Sequence, residues 1–171
     1  MYEPWPDREY PPTWRVALAF VVAPGAAALL IAIAMPAYDG LPDWFERVWR
    51  TAETFSIFGA YPTAVVFGLP AYFLLRRHFS ATPLACAVVG SAVAALPWAL
   101  LVMAGSGASE ASVNGRATVL NGHTTAYGWL QNAEFLLTIG LFGAIGGFVF
   151  WVVAAAGFRP KTQPSEQQSA S

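Results

Sequence analysis

TFSIFGAYPTAVVFGLPAYFLLRRHF, residues 54–79, is the stretch that decides the fold of this chain. No charged side chain occurs in residues 54–75, and Arg76 and Arg77 then end the run. As a helix the uncharged part is about 33 Å long at about 1.5 Å per residue, which matches a hydrocarbon core of about 30 Å. The sequence therefore predicts a membrane-spanning helix with one positively charged end.

Three other uncharged runs repeat this pattern, so the chain is predicted to be an all-α, multi-pass membrane protein. Of its 171 residues, 56% are hydrophobic and 11% are charged, whereas soluble domains carry about a quarter charged residues. The predicted membrane domain is a four-helix bundle over residues 16–158, with transmembrane helices at about 16–36, 52–75, 83–104 and 133–158. The polar ends, residues 1–15 and 159–171, are expected to be disordered tails.

A short amphipathic segment, LPDWFERVWR at residues 41–50, precedes the second span. Its apolar side chains recur at helical spacing, on the face opposite its charged residues. Tryptophan favours the membrane–water boundary, where the ring is apolar and its N–H stays wet. We expect an outer interfacial amphipathic helix that anchors the chain, and an aromatic docking site for a lipid or ligand is the alternative.

Two prolines, Pro62 and Pro70, lie inside the second predicted span. Each removes a helix hydrogen bond, and in a membrane neighbouring groups can satisfy the freed carbonyls. Paired breaks fit either a bent helix or a transport site built on an unwound helix. The absence of charged residues beside either proline favours the bent helix.

Small residues recur every four positions in three of the predicted spans. Gly143 and Gly147 form a GxxxG pattern in the fourth span, and Ala64 and Gly68 have the same spacing in the second. The third span carries a similar row, Cys86, Gly90 and Ala94. Because such faces let helix backbones approach closely in lipid, we expect these positions at helix–helix contacts.

The longest segment outside the predicted spans is residues 105–132. Residues 105–116, GSGASEASVNGR, are expected to be an irregular loop. The turn dipeptide Asn121-Gly122 lies between β-forming residues, and both of its residues tolerate positive φ. The sequence predicts a small outer β-hairpin with strands near 117–120 and 123–127. Since an isolated hairpin is marginal in water, we expect Trp129 to help it lie on the helix ends.

Positive charge is unevenly divided between the two predicted sides of the membrane. Four spans place both tails and the short loop after the second span on one side, which holds Arg8, Arg15, Arg76, Arg77, Arg159 and Lys161. The opposite side holds Arg47, Arg50 and Arg116. The positive-inside rule puts the first set in the cytoplasm, so both termini are predicted to be cytoplasmic.

Few ionisable residues are candidates for chemistry. Glu53 and Glu134 lie at the outer ends of the second and fourth spans, where the helix dipole favours a carboxylate and a shared acidic site is the alternative. His123 could join Glu110 and a serine in a hydrolytic set. No nucleophile motif surrounds the nearby serines, so a polar turn residue is the simpler interpretation of His123.

Cofactor, metal and nucleic-acid sites are not expected. Cys86 is the single cysteine, and His78 and His123 lie on opposite predicted sides of the membrane. The formal net charge of -1 provides no basic field for nucleic acid. No phosphate-binding glycine loop occurs.

The stretch NGHTTAYGWL, followed by GLFGAIGGFVFWVV, resembles the C-terminal part of small four-span bacterial inner-membrane proteins of uncharacterised function. The resemblance covers about the last third of the chain and implies a bacterial inner (plasma) membrane and four spans. It implies no activity, cofactor or binding residue.

The function expected from the sequence is non-enzymatic. We expect an interaction or accessory protein that works through its outward loops and its small-residue helix faces. Its partners would be the lipid bilayer and another membrane protein, or a second copy of this chain as a homo-oligomer. The alternative is a small oligomeric transporter or channel subunit, and a membrane enzyme is the third class.

Overall fold

Four helices in the described residues are long and apolar enough to cross a membrane. A computed structural model describes residues 11–78, 82–105 and 107–156, and the side chains of 75–78 lie outside that description. The helices are α1 (Thr13–Ala34), α2 (residues 44–78), α3 (Pro83–Ala104) and α4 (Ala126–Ala154). The predicted set of four candidate spans is confirmed.

The first, second and fourth helices differ in their bounds from the predicted spans. The first helix begins at Thr13, so residues 13–15 belong to α1 and not to a tail. The fourth begins at Ala126 instead of residue 133, because the Thr125 side chain caps it by accepting the N–H of Gly128 at 3.1 Å. It ends at Ala154. Residues 1–10 and 157–171, which hold most of the two predicted tails, lie outside the described residues.

The predicted interfacial helix is not a separate element. Asp43 caps a helix that starts at Trp44 and continues without interruption to residue 78. No proline or glycine between the amphipathic segment and the second span stops the helix, so the two form one long α2. Within the first part of α2, Trp44–Phe55, the buried residues are Val48 and Thr51.

Its aromatic side chains face away from the rest of the chain. Trp44, Phe45 and Trp49 are 55%, 67% and 61% exposed. Anchoring at a membrane surface therefore stays a prediction for these three residues, and it is compatible with their exposure.

The connection between α1 and α2 is held by side-chain hydrogen bonds. Arg47 donates to the carbonyl oxygens of Pro36 at 3.1 Å and Ala37 at 3.2 Å, and it pairs with Asp39. The hydroxyl of buried Thr51 accepts the N–H of Ala37 at 2.9 Å and donates to the carbonyl of Arg47 at 2.7 Å. These bonds satisfy backbone groups of the connection itself, at Pro36 and Ala37.

Helices α3 and α4 pack backbone against backbone. A Cβ on Gly147 would overlap the carbonyl oxygen of Cys86, and one on Gly143 would lie 2.6 Å from the carbonyl oxygen of Gly90. In the other direction, a Cβ on Gly90 would lie 2.8 Å from the Cα of Gly147. The structure thus brings the GxxxG pair onto the small-residue row of the third span, and none of the three glycines has room for a side chain.

Helix α4 also packs on α1, which runs antiparallel to it. Arg15, in the first turn of α1, donates from Nε to the carbonyl of Val153 at 3.1 Å and from Nη2 to the carbonyl of Ala156 at 2.9 Å. A cation that bonds the last carbonyls of a helix also opposes the negative end of its dipole. The start of α1 and the end of α4 therefore share one end of the molecule, and the sheet described below lies at the opposite end.

Aromatic rings fill the space between α1, α2 and α4 at the Arg15 end. The Phe20 ring meets Phe150 edge-to-face at 5.1 Å between centroids and Tyr72 at 5.9 Å. Gly68, one of the two small residues Ala64 and Gly68 of α2, lies at the contact of α2 with Phe20. A Cβ there would lie 3.4 Å from Phe20 Cε1.

We predict that Gly147→Ala and Gly59→Ala have different effects on stability, although both change a helical glycine. A methyl group on Gly147 meets backbone that cannot rotate away, and overpacking of this kind costs about 1–3 kcal/mol. At Gly59 nothing lies within 4 Å of the added Cβ, so the change is neutral or stabilises by up to about 1 kcal/mol. Thermal unfolding in detergent measures both, and equal melting temperatures would contradict the α3–α4 contact.

Candidate functional site

A three-stranded antiparallel sheet lies between α3 and α4. Its strands are β1 (Ala111–Val113), β2 (Arg116–Leu120) and β3 (His123–Thr124), in the order β1-β2-β3. The predicted hairpin is confirmed, because Asn121 and Gly122 have φ of 51° and 77° and join β2 to β3. Positive φ at both central residues is what a two-residue hairpin turn requires.

Strand β1 was not predicted, because residues 105–116 were expected to be an irregular loop. A second Asn-Gly turn, with φ of 53° at Asn114 and 74° at Gly115, joins β1 to β2. This dipeptide was the signal that could have found the strand. The third strand is shorter than predicted, since Thr125 ends it by capping α4 and Tyr127 is already helical.

The sheet is fixed to the first turn of α4. The N–H of Thr125 donates to the carbonyl of Thr118 at 2.9 Å, and its hydroxyl donates to the carbonyl of Ala117 at 2.7 Å. Gly128 packs directly on that strand, since a Cβ there would overlap the Thr118 carbonyl oxygen. The sheet therefore has a fixed position relative to the helix, although it is too small to be stable alone.

Trp129 is 52% exposed, and its expected role in holding the sheet stays a prediction. The ring that contacts the sheet is that of Tyr127, with the Arg116 guanidinium 5.6 Å from its centroid. Side chains of a strand alternate between faces. Val119 on the inner face is 9% exposed, whereas Leu120 on the other face is 51% exposed.

The exposed residues of the sheet combine apolar and polar side chains. Leu120 pairs across the strands with His123, and Arg116 pairs with Val113, which places the members of each pair on the same face. All four residues are exposed. A β-bulge in the β1–β2 ladder lies between the two pairs. We give the name outer sheet face to these four exposed residues of the sheet, Val113, Arg116, Leu120 and His123.

The hydrolytic set considered as an alternative for His123 is not assembled by any described hydrogen bond. His123 and Glu110 are exposed, and Ser112 lies in β1 opposite Ala117. Ser109 approaches the turn through its backbone, whose carbonyl accepts the N–H of Gly122 at 2.9 Å. Ser106 lies outside the described residues.

Glu53 and Glu134 are both exposed, and no described hydrogen bond or salt bridge joins them. Glu53 lies on the part of α2 that packs on α1. Glu134 accepts a hydrogen bond from Gln131 at 3.2 Å, and the next residue, Phe135, packs edge-to-face on Trp98 of α3. Among the described residues, no group of three His, Cys, Asp or Glu side chains could hold a metal ion.

The prolines of α2 follow local widenings of the helix. One π-helical segment, Ser56–Ala60, ends just before Tyr61 and Pro62, and another, Ala64–Gly68, ends just before Leu69 and Pro70. Segments of this type absorb an irregularity without ending a helix and are frequent at functional sites. They could not be predicted from proline positions alone, because Pro24 and Pro97 lie in helices that stay regular.

A polar contact between two candidate spans was not predicted from the sequence. The Tyr61 hydroxyl, between the two π-helical segments, donates to the carbonyl of Val21 in α1 at 2.9 Å. Gly25 leaves room for it, since a Cβ there would lie 3.1 Å from the hydroxyl oxygen. This bond ties the middle of α2 to α1.

Comparisons of this chain with protein-family models, with curated proteins and with solved structures find no match. The resemblance of its C-terminal third to four-span bacterial proteins stays a prediction.

Proposed function

We propose that this chain is a non-enzymatic interaction or accessory protein of the bacterial inner membrane. The observation that carries the proposal is the fixed position of the outer sheet face. Hydrogen bonds to Thr118 and Ala117 and the close approach of Gly128 hold the sheet on α4, while the four side chains of that face stay exposed. A small surface held rigidly in this way loses little conformational freedom when a partner binds.

The composition of the outer sheet face fits a protein partner. Apolar Leu120 and Val113 offer area to bury, and Arg116 and His123 add directional polar groups. Interfaces of this kind combine an apolar centre with polar groups around it. The other candidate residues lie apart, since Glu53 and Glu134 share no described contact.

The proposed orientation puts both termini in the cytoplasm and the sheet on the outer side. Arg15 joins the start of α1 to the end of α4, which supports an even number of crossings. Arg76 and Arg77, in the last turn of α2, support the cytoplasmic side for that end.

The alternative, a small oligomeric transporter or channel subunit, is supported by the two π-helical segments of α2. Broken helices at membrane depth build the ion and substrate sites of many transporters. Water-filled clefts beside α2 would favour this alternative, whereas a dry contact with another helix would favour the interaction protein.

The partner test uses Gly128→Ala, which pushes the sheet off α4. We expect it to reduce the recovery of co-purifying proteins from native membranes at least tenfold while the chain keeps its membrane level. Faster hydrogen exchange at Val119, with unchanged exchange in α3, would verify that only the sheet is released. Gly40→Ala is the control, since nothing lies within 4 Å of its added Cβ. Full retention of every partner by Gly128→Ala would refute a role for the sheet.

The orientation is tested with a reporter that is active only in the periplasm. Fused after Ser171 it should give no signal, and inserted at Asn114, in an exposed turn, it should give one. The reverse pattern would show that the assignment is inverted.

A further inference from the structure

The two proline breaks of α2 share one hydrogen-bond arrangement. The N–H of Tyr61, just before Pro62, donates to the carbonyl of Ser56, five residues back. The N–H of Leu69, just before the next proline, donates to the carbonyl of Ala64, again five residues back. The same irregularity therefore occurs twice, eight residues apart in the chain.

This arrangement leaves one carbonyl at each break without its usual donor. In an α-helix the carbonyl of Ile57 would accept the N–H of Tyr61, which is bonded to Ser56. In a π-helix it would accept from residue 62, which is proline and has no N–H.

The carbonyl of Val65 is in the same position. Its α-helical donor, Leu69, is bonded to Ala64, and its π-helical donor would be Pro70. Two carbonyls of α2 thus lack the donor that either helix type would supply.

Both carbonyls belong to an exposed face of α2. Ile57 and Val65 are 55% and 58% exposed, and the prolines five residues beyond each are exposed too. The two positions are about 12 Å apart along the helix, at about 1.5 Å per residue. Both lie within the uncharged run that matches the hydrocarbon core, where a backbone group without a partner is strongly unfavourable.

A second copy of this chain, docked through the same face, supplies no donor. The exposed side chains of this face are all apolar: Ile57, Phe58, Pro62, Val65, Val66, Pro70, Phe73 and Leu74. A twofold contact would place carbonyls against apolar side chains and other carbonyls. Donor side chains on a different helix would satisfy them.

We propose that this face of α2 binds a transmembrane helix of another membrane protein through hydrogen bonds to the carbonyls of Ile57 and Val65. The partner helix carries hydroxyl or amide side chains about two helical turns apart, matching the spacing of the two carbonyls. The proposal rests on the proposed interaction function and adds the chemistry of the partner.

Photocrosslinking in native membranes tests it. Benzoylphenylalanine replaces Phe58 or Val66 on the proposed face, and Leu137 on α4 as the control. Phe58 and Leu137 are 80% and 74% exposed, so both reach whatever surrounds the chain. We expect a discrete protein adduct from positions 58 and 66 and only lipid adducts from position 137.

The double variant Pro62→Ala/Pro70→Ala tests the hydrogen bonds themselves. With alanine at both positions, Ile57 and Val65 can be satisfied within the chain, by the restored N–H groups in a π-helix or by those of Tyr61 and Leu69 in an α-helix. The adduct from position 58 should therefore fall at least tenfold. Pro97→Ala is the matched control, since that proline lies in a regular helix without a π-helical segment. It should leave the adduct yield unchanged.

Several outcomes would overturn the proposal. These are lipid adducts alone from position 58, an adduct with a second copy of this chain, or an adduct that the double variant does not weaken. If the double variant fails to insert, the adduct pattern of positions 58, 66 and 137 decides. The infrared band of an isotope-labelled Ile57 carbonyl reports whether water reaches it. A band that responds to D₂O, together with no protein adduct, would mean that water covers the face. That result would favour the transporter.

A crosslinker at Leu120 separates this inference from the proposed function. Adducts from Leu120 without adducts from position 58 would refute the helix contact alone. No protein adduct from either position would refute both.

Discussion

The contact that the fold depends on is the backbone approach of α3 and α4. Gly90, Gly143 and Gly147 meet with no side chain between the helices, and a Cβ at any of them would collide with backbone atoms of the other helix. In lipid the hydrophobic effect does not drive helices together, so close packing of small residues has to do so. The sheet packs on the first turn of α4, and α1 packs along its side.

Satisfaction of backbone polar groups explains most of the remaining structure. Arg15 and Arg47 donate to carbonyls that helix ends or loops leave open, and Thr125 holds both the sheet and the start of α4. The carbonyls of Ile57 and Val65 are two described groups to which neither an α-helical nor a π-helical donor is available within α2. That is why the proposed partner contact falls on α2.

Sequence patterns predicted the elements better than their connections. Uncharged length predicted four candidate spans, and Asn121-Gly122 predicted a turn, because both signals are local. The missed strand β1 had the same signal at Asn114-Gly115, within a segment whose glycines and serines suggested an irregular loop.

The unbroken α2 was missed because a change from amphipathic to apolar composition does not by itself end a helix. The carbonyl partners of Arg15 depend on tertiary packing and have no local signal. Of the candidate site residues, Pro62 and Pro70 marked the irregular part of α2, while no described hydrogen bond or salt bridge joins Glu53 to Glu134.

The most direct test of this account is the distance between α3 and α4 in a bilayer. Solid-state NMR with ¹³C at the Cα atoms of Gly90 and Gly147 measures it without changing a side chain. A Cβ on Gly90 would lie 2.8 Å from the Gly147 Cα, so the account predicts strong dipolar coupling between the two labels. Absent coupling, as expected for helices whose axes lie about 8–10 Å apart with side chains between them, would contradict it.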